Sequence, residues 1–308
     1  MDNKLCFVQF LHPGVEHKPD KDNHWNTGKH KRKFLKRNGE YLNDNKKVCG
    51  EIVFWGEWEA QSKVDKIENS IPYGPNYIYK PYYEIDEIYK KLQNNKSNRS
   101  CSQSNQLQNT DPFVFGEHFF YRNCLQVRKG KRNQLSYLEK GSVILFGSCL
   151  NKNFVIDTVF VVGDYIDYNP KGYNLLKDKL KLPEEYIDVT LEPLSRQFKY
   201  DIELRLYISA TYEKPFEDTG MFSYFPCQPY RENTQGFSRP NVKLKDIISQ
   251  ELNQNIKLSG CNNIDEVKSR YLVVTKQITN QGLNLGIKAE IPAPDILRFC
   301  PLLNSGKR

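Results

Sequence analysis

Four titratable side chains stand where solubility alone does not call for them. Asp157 interrupts the apolar run FVIDTVFVV at residues 154–162. A carboxylate inside a buried strand must be paired or hydrogen-bonded, and such groups gather at functional sites. Glu57 stands between Trp55 and Trp58 in FWGEWE, and a carboxylate among indoles can act as a proton donor or base. Asp111 opens the turn Asp111-Pro112-Phe113 after a tract of Ser, Gln and Asn. His12 follows the apolar run LCFVQFL, at a strand end where functional loops sit. His12, Glu57, Asp111 and Asp157 are therefore the expected catalytic groups. The competing readings are a surface loop for His12, an aromatic cluster with solvated acids at Glu57, an ordinary Asp-Pro turn and a structural core carboxylate.

The groups expected to hold a substrate lie around them. The stretch KHKRKFLKR at residues 29–37 packs seven basic-type residues into nine positions, and phosphate contact is their natural use. Lys29, Lys31, Arg32 and Lys33 are the expected phosphate ligands, in what reads as a polar loop from residue 12 to 47. His17 shares that loop. Trp55, Trp58 and Phe113 offer faces on which a base could stack. Arg239 lies in the aromatic, Pro- and Gly-rich segment 221–240, a candidate pocket wall with Cys227 and Arg231. A second basic cluster, RKGKR at residues 128–132, would extend the phosphate-binding surface if it folds nearby. The spacing of His12, Glu16 and His17 matches no zinc signature, so neither metal nor cofactor is expected.

Composition agrees with a polyanion partner. The 308-residue chain carries a formal net charge of +8. That balance favours nucleic acid, DNA before RNA, although it also serves solubility. Aromatics reach 13% against 38% hydrophobic residues overall, so Tyr and Phe must carry much of the core. The eight Cys are dispersed with no close pair, which excludes a sequence-local zinc knuckle. No apolar run reaches the length of a membrane-spanning helix or a signal peptide. The expectation is a soluble, cytoplasmic, monomeric protein with no membrane partner.

Positioning these groups falls to many short strands. Residues 143–146 and 154–162 form the most apolar part of the chain. The turn formers between them make a strand–turn–strand signal. Further strands are expected at 5–11, 48–58, 201–211, around 112–127 and over 270–291. Helices are expected at 84–93 and 243–256, where Leu244, Ile247, Ile248 and Leu252 form one stripe. Residues 94–110 read as a mobile polar loop. The fold class expected is α+β: one domain spanning residues 1–308 around a mostly antiparallel sheet, open or barrel-like, with long polar loops.

The segments GSVILFGS and FVIDTVFVVGDY, with the upstream Asp111-Pro112 in a polar loop, resemble the nucleotide-modification-associated domains found beside enzymes of DNA base modification. The resemblance covers about 60 residues, from Asp111 to Tyr165, and departs at Ser142, where the family carries an acid after the glycine. It implies a role at modified bases or nucleotides and supplies no catalytic residue. The order Asp111-Pro112-Phe113 also resembles the water-activating motif of uracil-DNA glycosylases. That motif follows a buried strand, however, and the tract here is polar, so that fold is not carried over. Three functions are consistent with these features. One is a metal-independent, glycosylase-like hydrolase acting on modified DNA bases. Another is a non-catalytic reader of such bases. The third is a metal-dependent nuclease using His12, His17 and the acids.

Overall fold

The computed structural model describes residues 2–12, 14–19, 31–68, 70–83, 110–122, 124–192, 195, 201–244 and 256–294. It is a mixed α+β structure made mostly of strands, numbered here in chain order. One six-stranded sheet runs β13 (Lys257–Gly260), β1 (Cys6–Leu11), β9 (Val143–Leu150), β10 (Asn153–Tyr168), β11 (Leu204–Ser209) and β6 (Phe120–Tyr121). The other runs β14 (Asn284–Ala289), β12 (Phe225–Pro229), β3 (Lys46–Gly56), β2 (Lys33–Asn43), β5 (Tyr77–Pro81) and β4 (Ser62–Lys66). A two-stranded ribbon, β7 (Val127–Arg128) and β8 (Lys131–Arg132), stands apart. Among the described ladders only β1–β9 and β2–β5 run parallel.

The expected hairpin is present as β9–β10. Asn151 and Lys152 turn it with φ of 48° and 64°, the paired left-handed residues of a type I′ turn, whose twist suits the flanking strands. Its apolar pattern looks continuous for a specific reason. The register against β9 slips between Ile156 and Thr158, so Asp157 is the extra residue of a bulge. The bulge shifts the side-chain parity by one. Phe154 and Ile156 before it, and Val159 and Val161 after it, therefore pack into the same core cluster. Phe160 and Val162 face the other cluster.

The second sheet corrects the sequence reading of residues 12–47. Lys33–Asn43 is a strand, not a polar loop, and pairs with β3 along its whole length. Phe34 and Leu42 enter one core cluster while Leu35 and Tyr41 enter the other. The basic residues between them hid a strand with both faces covered. β14 pairs with both β12 and β2, so β2, β3, β12 and β14 close a four-strand ring. Glycine permits that closure: a Cβ on Gly286 would lie 2.1 Å from the Phe225 ring, and one on Gly39 would lie 2.4 Å from the Lys288 carbonyl. The sheets meet through bridges Val159↔Tyr224 and Phe115↔Ala289.

Two further readings change. Residues 264–279, expected to return partly to strand, form the helix Ile264–Thr279. Val267, Tyr271, Val274 and Ile278 bury one face at helical spacing. Asn263 caps the first turn by accepting from the Glu266 N–H. Phe225–Pro229 is a strand inside the expected loop 221–240. The helix expected at 84–93 lies outside the described residues. So does that at 243–256 except for Lys243, Leu244 and Ile256, which are not helical. The polar loop 94–110 is likewise outside them apart from Thr110, which is buried. No described helix is long and apolar enough to cross a membrane.

Candidate functional site

His12, Glu57 and Asp157 come together through two arginines. β1 ends at His12, whose N–H is held by the Gly147 carbonyl at 2.7 Å. The imidazole packs edge-on against Phe10 (centroids 4.5 Å) and places Nδ1 3.1 Å from Glu57 Oε2. Glu57 follows the end of β3. The same Oε2 receives Arg32 Nη1 at 2.6 Å, and Arg32 Nε donates to Asp157 Oδ2 at 2.7 Å. Arg239 Nη1 lies 3.5 Å from Asp157 Oδ1 and 2.9 Å from Ser148 Oγ, while Nη2 donates to the Gly14 carbonyl. The five side chains form one chain of charges, each at least nine-tenths buried.

Local structure explains why each member points inward. Asp157 leaves the strand alternation through its bulge, which aims a carboxylate where a core side chain would otherwise stand. Arg32 is fixed by its backbone, which exchanges hydrogen bonds with Val15 and His17 at 3.0 and 2.8 Å. Gly14 admits the close approach of Ser148: a Cβ there would lie 2.7 Å from the Ser148 Cβ. Arg239 lies over the Trp55 ring at 5.3 Å.

The electrostatics differ between the two arginines. Burial works against the charge of Arg32, but Asp157 and Glu57 outweigh it and hold its pKa above the usual value. For Arg239, burial outweighs the attraction of Asp157, and Arg32 adds repulsion, so its pKa falls. Arg32 is thus the more strongly paired of the two, and the charge of Arg239 is the less favoured by its surroundings.

Lys33 alternates to the far side of β2. Its Nζ donates to the Ala60 carbonyl at 3.0 Å and lies 5.4 Å from the centroid of the Tyr79 ring. Burial lowers its pKa to about 7, with Glu59 pulling the other way. Asp111 lies at the next loop, where its carboxylate accepts from the backbone N–H of Arg122 at 3.0 Å and of Cys124 at 2.6 Å. Burial raises the Cys124 thiol pKa, and the fields of Asp111, Glu57 and Glu59 raise it further. Asp111, Glu57 and Glu59 thus all act on one thiol. Thr110 Oγ1 closes the gap by accepting from the Glu59 N–H at 3.1 Å.

Other expected contacts find different roles. Arg32 and Lys33 are buried, so neither is a surface phosphate ligand. Lys31 is half-buried, and Lys29 lies outside the described residues. Trp58 and Phe113 are core residues: the Trp58 indole donates to the Gln61 carbonyl at 2.8 Å, and Phe113 packs on Tyr186. The Trp55 indole N–H is spent on the Phe237 carbonyl at 2.7 Å. None of the three leaves an open face for a base. The His17 ring is buried beside Tyr79. Cys227 lies within β12, and burial pushes its thiol well up, away from thiolate character.

Sequence reasoning missed Arg122. Fully buried, it donates to Tyr168 Oη at 2.6 Å and to the Thr190 carbonyl at 3.3 Å. No periodicity signals it, because β6 is two residues long. It also missed Ser148 and the Gly14 carbonyl; the demand of Asp157 for a cation was the available signal. Among the described residues no group of three His, Cys, Asp or Glu side chains could hold a metal ion. Comparison with protein-family models, curated proteins and solved structures returns no match.

Proposed function

We propose that the chain is an enzyme acting on nucleic-acid bases, most simply a metal-independent hydrolase of the N-glycosidic bond in modified DNA. One observation carries the reading: His12, Glu57 and Asp157, from three separate elements, converge with Arg32 and Arg239 in a single buried network. Burying such a network is expensive, and hydrophobic residues of similar size would commonly be neutral or stabilising in its place. Its retention fits a site whose dipoles are organised in advance of the reaction.

The roles follow from geometry. His12 Nδ1 lies 3.1 Å from Glu57 Oε2, so the imidazole and this carboxylate form the pair that exchanges protons with the substrate. Base departure builds positive charge on the sugar, which Asp157 opposes, while Arg239 receives negative charge growing on the leaving base. A target base must leave its stack to reach a buried site. The charge balance of the chain supports a nucleic-acid partner.

The test is incubation with DNA from phages carrying modified bases, followed by alkali. Alkali-sensitive abasic sites are expected with the parent. Glu57→Gln is expected to lower their formation by about 100-fold, because His12 loses the carboxylate of its acid–base pair. Intact DNA across a broad panel of modified genomes removes the hydrolase reading. A second reading, a reader without chemistry, draws on the fact that Glu57 and Asp157 are both already paired with guanidinium groups. It gains if the parent binds such DNA without cleaving it and Glu57→Gln binds equally well.

A further inference from the structure

The ribbon β7–β8 has no part in the network above, yet its construction is specific. Lys129 and Gly130 turn it with φ of 51° and 72°, a type I′ hairpin. The Asn133 N–H closes its base on the Gln126 carbonyl at 2.9 Å. Arg132 anchors it: Nη2 lies 2.9 Å from Asp167, Nη1 lies 3.0 Å from Glu203, and the guanidinium sits 4.7 Å from the Tyr137 ring centroid. The anchor uses one cation of the cluster and leaves three at the tip. Arg128, Lys129 and Lys131 are all exposed, and none forms an ion pair among the described residues.

At the foot of the ribbon stands Leu125, 51% exposed and held with φ of 59°. A leucine in a left-handed conformation and in water is costly twice over. Its position relative to the site is set by its neighbour. Cys124 is hydrogen-bonded to Asp111 and lies in the field of Glu57 and Glu59. The ribbon therefore rises beside Asp111.

We infer that this ribbon is a nucleic-acid-contacting arm. Arg128, Lys129 and Lys131 contact backbone phosphates, and Leu125 makes an apolar contact with a sugar or an unstacked base. Three exposed cations on a turn of fixed twist, without an ion pair among the described residues, suit a regularly spaced polyanion. An apolar side chain at the foot of the arm suits insertion at a base step. The inference rests on the nucleic-acid reading above and adds where the strand is gripped.

The experiment titrates the full chain against a fluorescent 30-mer DNA duplex by anisotropy, across a series of KCl concentrations. The variant Arg128→Gln/Lys129→Asn/Lys131→Gln keeps a residue tolerant of the left-handed turn at position 129. It is expected to bind at least about tenfold more weakly at low salt, with a log–log salt slope shallower by about 2–3, one step per lost phosphate contact. Leu125→Ala is expected to weaken binding with the slope unchanged. Melting temperatures of the triple variant are expected to stay within about 2 °C of the parent, because Arg128, Lys129 and Lys131 are exposed. A parent that binds alongside a triple variant of equal affinity and slope overturns the arm and leaves the nucleic-acid reading standing. A parent that binds neither this duplex nor single-stranded DNA or RNA overturns both. Loss by the triple variant of binding to phosphatidylserine vesicles, with DNA binding unchanged, overturns the arm in favour of a membrane contact.

Discussion

Two arginine–carboxylate networks in this protein use the same chemistry in opposite settings. At the rim, Arg205 grips Asp167 with two hydrogen bonds, 2.8 and 2.7 Å, and Arg132 adds a third at 2.9 Å. Asp167 keeps part of its surface in water. Burial tends to raise its pKa, but the bonds and charges of Arg205 and Arg132 prevail and lower it. In the interior, Asp157 has one close guanidinium contact and one at 3.5 Å, and Glu57 shares one oxygen between Arg32 and His12. The better fork is at the rim and the poorer one is buried. A network selected for stability would be arranged the other way round, since desolvation demands the best geometry where water is absent. The interior set instead shares a single Glu57 oxygen and includes one long contact, 3.5 Å from Arg239 to Asp157.

The largest effect should come from Arg32→Met, which leaves Glu57 and Asp157 buried against an apolar side chain. Urea unfolding should show a loss of about 3–5 kcal/mol, the usual result of removing one partner of a buried pair. Replacing both carboxylates and both arginines, as Arg32→Met/Glu57→Leu/Asp157→Leu/Arg239→Met, should recover most of that stability while abolishing the proposed hydrolysis. Failure to recover it would place the network among the supports of the fold and weaken its reading as a site.

Lys33 sharpens the comparison as a buried cation without a guanidinium's fork. Its pKa of about 7 lies below the ordinary 10.5. Below pH 7 the folded and unfolded chains both carry the proton. Between the two values only the unfolded chain does, so the Lys33 contribution to stability rises with pH across that window. The parent should therefore gain on Lys33→Met between pH 7 and 10, measured by urea midpoints at each pH. A flat difference would mean that the amine keeps its charge in the fold.

The smallest effect belongs to the rim. Asp167→Asn should cost no more than about 1 kcal/mol at pH 7, as partly exposed pairs do. The lowered pKa of Asp167 means that its contribution is complete above the unfolded value, 3.8, and fades as pH falls through the folded one. The parent and Asp167→Asn should thus converge in strongly acidic buffer. A cost equal to that of Arg32→Met would erase the contrast between the two networks.

Part of this was legible in the amino-acid order. The β9–β10 hairpin was, because turn formers separate two runs rich in β-branched and aromatic residues, and such runs need no distant partner to be identified. The need of Asp157 for a charged or hydrogen-bonding partner was also legible, since an unpaired carboxylate in a core strand is untenable whatever surrounds it. β2 was not. Its Lys, Arg and Asn residues mark a solvated loop until β3, β5 and β14 pair with its two edges. Helix 264–279 was obscured by the β-branched residues of LVVT, whose local preference gives way to the buried stripe of Val267, Tyr271, Val274 and Ile278.

The sequence by itself determined which groups demanded partners: Asp157 in an apolar run, Glu57 between indoles, His12 at a strand end. Only the tertiary structure decided which partners they received. Arg32 is 125 residues from Asp157 in the chain, and Arg239 is 82. A cation read locally as a surface phosphate ligand thus became the buried centre of the network, and the indoles read as stacking faces became core. Residue type fixes what a side chain can do, but its exposure and its counter-charge depend on strands that meet only after the chain has folded.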